Sequence, residues 1–497
     1  MDEIEKKGIE YYECVYKTLL SRELTGEAVI PDAVPDAERV LCAQATLYIR
    51  SSAVSEGRAA LEGVVQGTVL FLAGGDGTPV KTELTLPFTL EAADTALTEA
   101  AEMTYSAALG HVEARLLNSR KLSLRADVAA ELAAYRTSSL ELTMRTEDPT
   151  ELETLGDRAE IGYISSITHK SFSVSGDITL SEEQGRLSQL LTCEAALSVG
   201  DSRRVGAKMI VQGTALLYLS WLSTENGQLR CGRFEVPFSQ ILDISETDTD
   251  AAIVTVTLAS GYVEPLPGIN GTSEIGVELH LNAQTVCTAV REIEYTADAY
   301  CLRHPCRIET QTASVCRPFR ERLLHDTVRE TIELPERAAE VVYADAKASL
   351  PVLTDGAVRV PIRITAVVRG ENGELWPAER RVNLEMKYDD MSAGDCLTAL
   401  PFCGDISAAP TSGGIELTAG VGVRTLSSVR WELSYVSAAE TDRETVTVTE
   451  DEPSVVVVRR DGRTLWSLAK SYGSTVETIE AANADNSGAL LLIPRAR

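Results

Sequence analysis

Residues 65–88 read VQGTVLFLAGGDGTPVKTELTLPF, and residues 211–238 read VQGTALLYLSWLSTENGQLRCGRFEVPF. Both open on Val-Gln-Gly-Thr, run into an apolar strand, turn at a glycine and close on Pro-Phe. The opening motifs lie 146 residues apart (65 to 211) and the closing ones 150 (87 to 237), which places a small insertion between them. A third, weaker copy begins at Val360-Pro361-Ile362-Arg363-Ile364-Thr365, turns at Asn372-Gly373 and continues through Arg381–Tyr388 without the Pro-Phe ending. Self-similarity at a fixed period marks a tandem array of one structural unit.

The unit is β. Lys81–Phe88 places Thr82, Leu84, Leu86 and Phe88 on one face, and Arg233–Phe238 does the same with Phe234, Val236 and Phe238. In Ile253–Leu258 the alternation puts Val254, Val256 and Leu258 on one side. Period-two alternation describes strands buried on one face, as in antiparallel sheets. Gly74-Gly75-Asp76-Gly77, Glu225-Asn226-Gly227, Asn270-Gly271 and Glu371-Asn372-Gly373 supply hairpin turns, because these residues tolerate positive φ.

A chain of 497 residues exceeds one ordinary core and predicts about three or four domains. The repeats place β domains at 1–160, 161–317 and 318–440, giving mainly β architecture with tandem antiparallel sandwich- or barrel-like repeats in an elongated row. An acidic, Thr-rich stretch, TDRETVTVTEDEP, follows as a linker over 441–453. The last unit, 454–497, has the order strand, helix, helix, strand. Val455–Arg459 is its first strand. Thr464 caps a helix with Leu465, Leu468, Ala469 and Tyr472 on one face, and Gly473 stops it. Thr475 caps a second helix with Val476 and Ile479 inward, and Leu490–Ile493 closes the sheet.

Charge and chemistry narrow the function. The net charge of −28 opposes phosphate backbones, which argues against nucleic acid as a partner. The N-terminus, MDEIEKKGIEYYECVYK, lacks the apolar core of a secretion signal, and no apolar run approaches the about 18 residues of a membrane span. A cytosolic protein without membrane insertion is the expectation. Ten scattered cysteines without a CxxC pair then read as reduced thiols. Cys301, His304, Cys306 and Cys316 have no common zinc spacing, so no metal and no cofactor is expected. Gly200–Lys208 has the wrong spacing for a phosphate loop and reads as a hairpin. No GxSxG elbow or HExxH pair occurs, and the five histidines are dispersed. No catalytic residue is assigned, and a non-enzymatic protein is expected.

Two resemblances add to this reading. Asp461-Gly462-Arg463-Thr464-Leu465-Trp466-Ser467-Leu468-Ala469-Lys470, then Tyr472-Gly473-Ser474-Thr475-Val476, Ile479, Asn483 and Leu492-Ile493-Pro494, resemble the LysM domain. That family implies two helices on a two-stranded antiparallel sheet, with N-acetylglucosamine polymers such as peptidoglycan or a chitin-like glycan as ligand. The ligand groove would lie between Asp461, Gly462, Arg463 and Thr464 on one side and Ala484, Asp485, Asn486, Gly488 and Leu490 on the other. The first turn departs from the family's usual Gly-Asp-Thr-Leu-Trp.

The body resembles the SPOCS domain of spore coat assembly proteins. The match is carried by Arg22-Glu23-Leu24, Ile30-Pro31, Pro35–Leu41, Val65–Thr68, Leu86-Pro87-Phe88 and Ala114–Lys121. SPOCS repeats followed by LysM are similar to spore coat morphogenetic scaffolds. The resemblance implies mother-cell cytoplasm at the forespore surface, with the LysM unit contacting the ATPase of the coat basement layer. The alternative is a protein that binds peptidoglycan through its LysM unit.

Overall fold

The computed structural model describes all residues except 1–3, 76, 147–151, 245–249, 268–272, 303–305, 390–391, 442–452, 485–489 and 496–497. Among the described residues the chain is mainly β, built as three repeats, six strands in each of the first two and nine in the third, followed by a small unit with two helices. In the first repeat β1 (Ile4–Val29), β6 (Lys121–Thr146) and β5 (Glu102–Asn118) form one antiparallel sheet. Facing it are β2 (Ala37–Ser55), β3 (Arg58–Ala73) and β4 (Pro79–Ala93). The second repeat has the same pattern. β7 (Leu152–Thr179), β12 (Glu274–Cys301) and β11 (Ala251–Leu266) face β8 (Leu187–Val205), β9 (Lys208–Ser223) and β10 (Leu229–Asp243).

The third repeat breaks both of its long strands in two. β13 (Cys306–Cys316) and β14 (Arg320–Glu333) replace one, and β20 (Gly414–Ser427) and β21 (Arg430–Thr441) replace the other. β14 and β20 join β19 (Cys396–Thr411) in a sheet that faces β15 (Ala338–Ala348), β16 (Val352–Thr354), β17 (Ala357–Gly370) and β18 (Leu375–Lys387), while β13 and β21 pair with each other as a ribbon. The six-strand pattern therefore changes repeat between β6 and β7 and between β12 and β13. The boundary expected at 160/161 falls inside β7, and the one at 317/318 falls between the two halves of a broken strand.

The repeat period differs from the one suggested by Val-Gln-Gly-Thr. β3 and β9 are both 16 residues long, β4 and β10 both 15, and no insertion separates them. Gly63 pairs with Phe88 and Gly213 with Phe238, so Leu61-Glu62-Gly63-Val64 is the equivalent of Val211-Gln212-Gly213-Thr214. The tetrapeptide at 65–68 sits four residues further along its strand. A shift of four preserves the buried face, because side chains alternate with period two. In both repeats the phenyl ring lies over the glycine, filling the space that a Cβ would need. The third repeat moves the device to its other sheet, where Phe402 lies over Gly422.

Each repeat encloses its own core, for example Val65, Leu86 and Leu124 in the first, Leu217, Trp221 and Leu279 in the second, and Val360, Ile364 and Val421 in the third. The long strands continue past these cores as two-stranded ribbons. A strand of 26 to 28 residues reaches roughly 90 Å, more than a single small barrel needs. The ladder is shifted at Cys14/Tyr16 and at Cys287/Thr288, where strand becomes ribbon. Such bulges bend a strand locally.

An elongated row gives way to a closed cluster, because the repeats share cores. Ile9 and Leu142 from the first ribbon, Tyr163 and Ile293 from the second, and Leu433 and Tyr435 from the third pack together. A second shared core joins Leu41 and Leu72 with Leu191 and Leu229 and with Tyr343 and Val367. Polar contacts cross as well. The Gln284 carboxamide accepts from the Tyr105 amide (2.9 Å) and donates to its carbonyl (3.0 Å). Arg363 donates to the Val112 carbonyl at 2.8 Å. Lys347 pairs with the buried Glu194 and lies 3.3 Å from Asp345. Burial raises the Asp345 carboxyl to about 6 and lowers the Lys347 ammonium.

Candidate functional site

The C-terminal unit consists of β22 (Val455–Arg459), α1 (Leu465–Tyr472), α2 (Val476–Ala482) and β23 (Leu490–Pro494). Its order is the one read from the sequence. Thr464 accepts from the Ser467 amide at 3.1 Å and Thr475 from the Thr478 amide at 3.0 Å, so each helix starts at a side-chain cap. Gly473 ends α1 in the left-handed conformation, φ 63°. Leu468, Ala469, Ile479, Leu491 and Ile493 form the core under one face of the β22–β23 sheet. Asn483 ties α2 to β23, donating to the Leu492 carbonyl (2.7 Å) and accepting from its amide (2.9 Å).

The turn that departs from the LysM pattern has a definite geometry. Asp461 (φ 41°) and Gly462 (φ 74°) both have positive φ, and the Arg463 amide donates to the Arg460 carbonyl at 2.8 Å. This is a type I′ turn, which explains why Asp-Gly stands here. The Arg463 amide is thus bonded inside the turn, and the Thr464 hydroxyl oxygen accepts from its own helix. Arg459 pairs with Leu490, so the turn lies at the same end of the sheet as the loop after α2. Asp461, Gly462, Arg463, Thr464, Ala484 and Leu490 are all exposed. Asp485, Asn486 and Gly488, the other expected groove residues, lie outside the described residues.

Two features of this unit escaped the sequence reading. The outer face of its sheet is apolar and uncovered: Val455, Val457, Leu490 and Leu492 are 47, 57, 52 and 40% exposed. The unit is also basic in an acidic chain, with six Lys or Arg against four Asp or Glu over residues 454–497. Arg459 shares the outer face, with Arg460 and Arg463 exposed beside it. The charge signal was legible in the sequence, had the tail been counted apart from the body. The apolar face was not, because Val455–Val458 and Leu490–Ile493 are apolar at every position and show no alternation.

The opposite side of the unit is seated on the tip of β12. Trp466 packs edge-on against Tyr300, with 4.8 Å between ring centroids, and donates its indole N–H to Asp298 at 2.9 Å. Lys470 reaches the other oxygen of Asp298 at 2.6 Å, and the Tyr300 hydroxyl donates to the Ser474 carbonyl at 2.7 Å. Burial alone would raise the Asp298 carboxyl. The hydrogen bonds from Lys470, Trp466 and the Ala299 amide, with the Lys470 charge, hold it below its ordinary value. Trp466 is thus a packing residue, and the open side of the unit is its turn and outer sheet face.

The charged and metal-type side chains elsewhere in the chain resolve into structure. Arg120 clamps the β1–β2 connection, donating to the carbonyls of Val34 (2.6 Å) and Pro31 (3.3 Å) and to Asp32 (2.9 Å). Lys121 pairs with Glu27 and Arg115 with Glu113 at 2.5 Å. Cys306 and Cys316 stand at opposite ends of β13, roughly 33 Å apart by strand rise, too far to share an ion. His304 lies outside the described residues. No group of three metal-ligating side chains occurs among the described residues. Val205 pairs with Lys208, so 200–208 forms a hairpin. No helix among the described residues is long and apolar enough to cross a membrane.

Comparison with protein-family models, with curated proteins and with solved structures returned no match.

Proposed function

We propose that the chain is a non-enzymatic scaffold of the spore-coat type, whose LysM-like C-terminal unit docks on a protein partner. The observation that supports it best is the division of the unit into two sides. One side is consumed by contacts to Asp298 and Tyr300 of the body. The other keeps Val455, Val457, Leu490 and Leu492 exposed beside Arg459, Arg460 and Arg463. Exposed apolar residues bordered by charge mark interaction surfaces. The complement of this one is a protein surface with apolar and acidic groups.

Within the resemblance to coat proteins, the partner is the ATPase of the coat basement layer, and the site of action is the mother-cell cytoplasm at the forespore surface. The shared-core repeats then act as the rigid body that places other contacts, and several modest contacts in one chain reinforce each other. A glycan reading is less favoured, because the Arg463 amide, a turn donor that could meet an acetamido group, is already bonded to the Arg460 carbonyl.

Cosedimentation of the full chain with purified peptidoglycan, and pull-down with the purified basement-layer ATPase, test this reading. Retention by the ATPase and not by peptidoglycan is expected. Retention by peptidoglycan alone overturns the scaffold reading in favour of a wall-binding protein.

A further inference from the structure

The three ribbons are joined by strand pairing on two sides and by side-chain packing alone on the third. β1 meets β7 at Tyr12–Ile164, and β7 meets β13 at Gly162–Cys316. No ladder joins β13 to β1 among the described residues. The third repeat is also the one whose long strands are broken, at 317–319 and 428–429, and Pro318 stands in the first break without an N–H to donate. A cleft of about 400 Å³ occupies the gap. That volume is in the range of small-molecule sites.

Its lining is unusual for this chain. Five of its 22 lining residues are aromatic, whereas aromatic residues make up 5% of the sequence. Tyr12, Tyr16 and Phe319 stand there with Ile164 and Leu397. The hydroxyls of Tyr12 and Tyr16 have no hydrogen-bond partner among the described residues. Most of the charges are engaged elsewhere. Lys17 pairs with Glu131 at 3.1 Å, Glu13 with Arg136 at 3.6 Å, and Asp395 accepts from the Ser392 amide at 3.3 Å. Arg430 is exposed, and it is the one cation of the cleft without a carboxylate partner among the described residues. It lies near the thiols of Cys14 and Cys316, where its charge opposes the upward push of burial on both.

We propose that this cleft binds a small amphipathic anion, its acid group on Arg430 and its apolar body between Tyr12, Tyr16, Phe319 and Leu397. The site draws on all three repeats, so a bound molecule bridges them. A flat or chain-like body suits the aromatic walls, and one guanidinium without a carboxylate partner among the described residues suits a single acid group. The proposal is independent of the docking role of the C-terminal unit, which lies elsewhere on the chain.

The probe is 8-anilinonaphthalene-1-sulfonate, an aromatic monoanion, titrated into the full chain by fluorescence. One saturable site is expected. Arg430→Glu should weaken it by about tenfold or more, as expected for loss of a charge-assisted contact. Ser314→Trp, which plugs the cleft from an exposed position on β13, should abolish it. Thermal unfolding checks that both variants fold, with Arg430→Gln in reserve should the charge reversal destabilise. Saturable binding that survives both changes overturns the proposal and places the probe elsewhere, for instance on the Val455–Val457 face. Absence of saturable binding to the unaltered chain overturns it outright.

Discussion

At the scale of single residues, the decisive groups are buried charges that look ordinary in the sequence. Glu194 in LTCEAAL and Lys347 in ADAKASL carry no local sign that they will meet, since they come from different repeats. Their burial follows from packing between repeats, which no local pattern encodes. Removing one partner strands the other charge in a low-dielectric interior. Lys347→Met should therefore destabilise the fold by about 3–5 kcal/mol, and adding Glu194→Gln should restore much of it, measured by chemical denaturation. Asp345 adds a pH dependence. Its carboxyl is raised from 3.8 to about 6 in the folded chain. Its contribution is thus fully present below about 3.8 and is lost as pH rises through 6. Stability measured across that window should fall with rising pH by a component that Asp345→Asn removes. An unchanged slope in the variant would exclude Asp345 as the source.

At the scale of elements, alternation identified the strands and Asn-Gly or Asp-Gly marked their turns, because both signals are local. Register was harder. Val-Gln-Gly-Thr at 65 and 211 suggested an insertion that does not exist, since an even shift leaves every side chain on its own face. The Phe-over-Gly pairs settle the register instead, and they predict a mutational asymmetry. A side chain at Gly213 meets the Phe238 ring and the Ser198 carbonyl, whereas one at Gly8 meets nothing within 4 Å. Gly213→Val should cost about 1–3 kcal/mol by overpacking, and Gly8→Val should leave stability nearly unchanged. The C-terminal helix pair was legible down to its caps. Its seat on β12 was not, because Asp298 and Lys470 are 172 residues apart in sequence. Asp298→Ala should leave α1 capped but free the unit from the body, read as loss of protection from limited proteolysis around Trp466. Unchanged protection would show that the seat does not depend on this carboxylate.

At the scale of the whole molecule, tandem repeats suggested a row, and the structure places them around shared cores. The signal that could have shown this is the length of β1, β6, β7 and β12, because the first halves of β1 and β7 and the second halves of β6 and β12 bury their apolar face only where the three ribbons meet. The body thereby shares cores between its repeats, and the basic C-terminal unit presents its apolar sheet face beside it. The partner proposed for that face is checked by equilibrium binding of the purified coat basement-layer ATPase to the full chain. Val457→Asp with Leu492→Asp should weaken binding by at least about a hundredfold, as expected for a lost apolar anchor pair, while the unfolding transition of the repeats stays in place. Binding that persists unchanged in a chain ending before residue 454 would contradict the account.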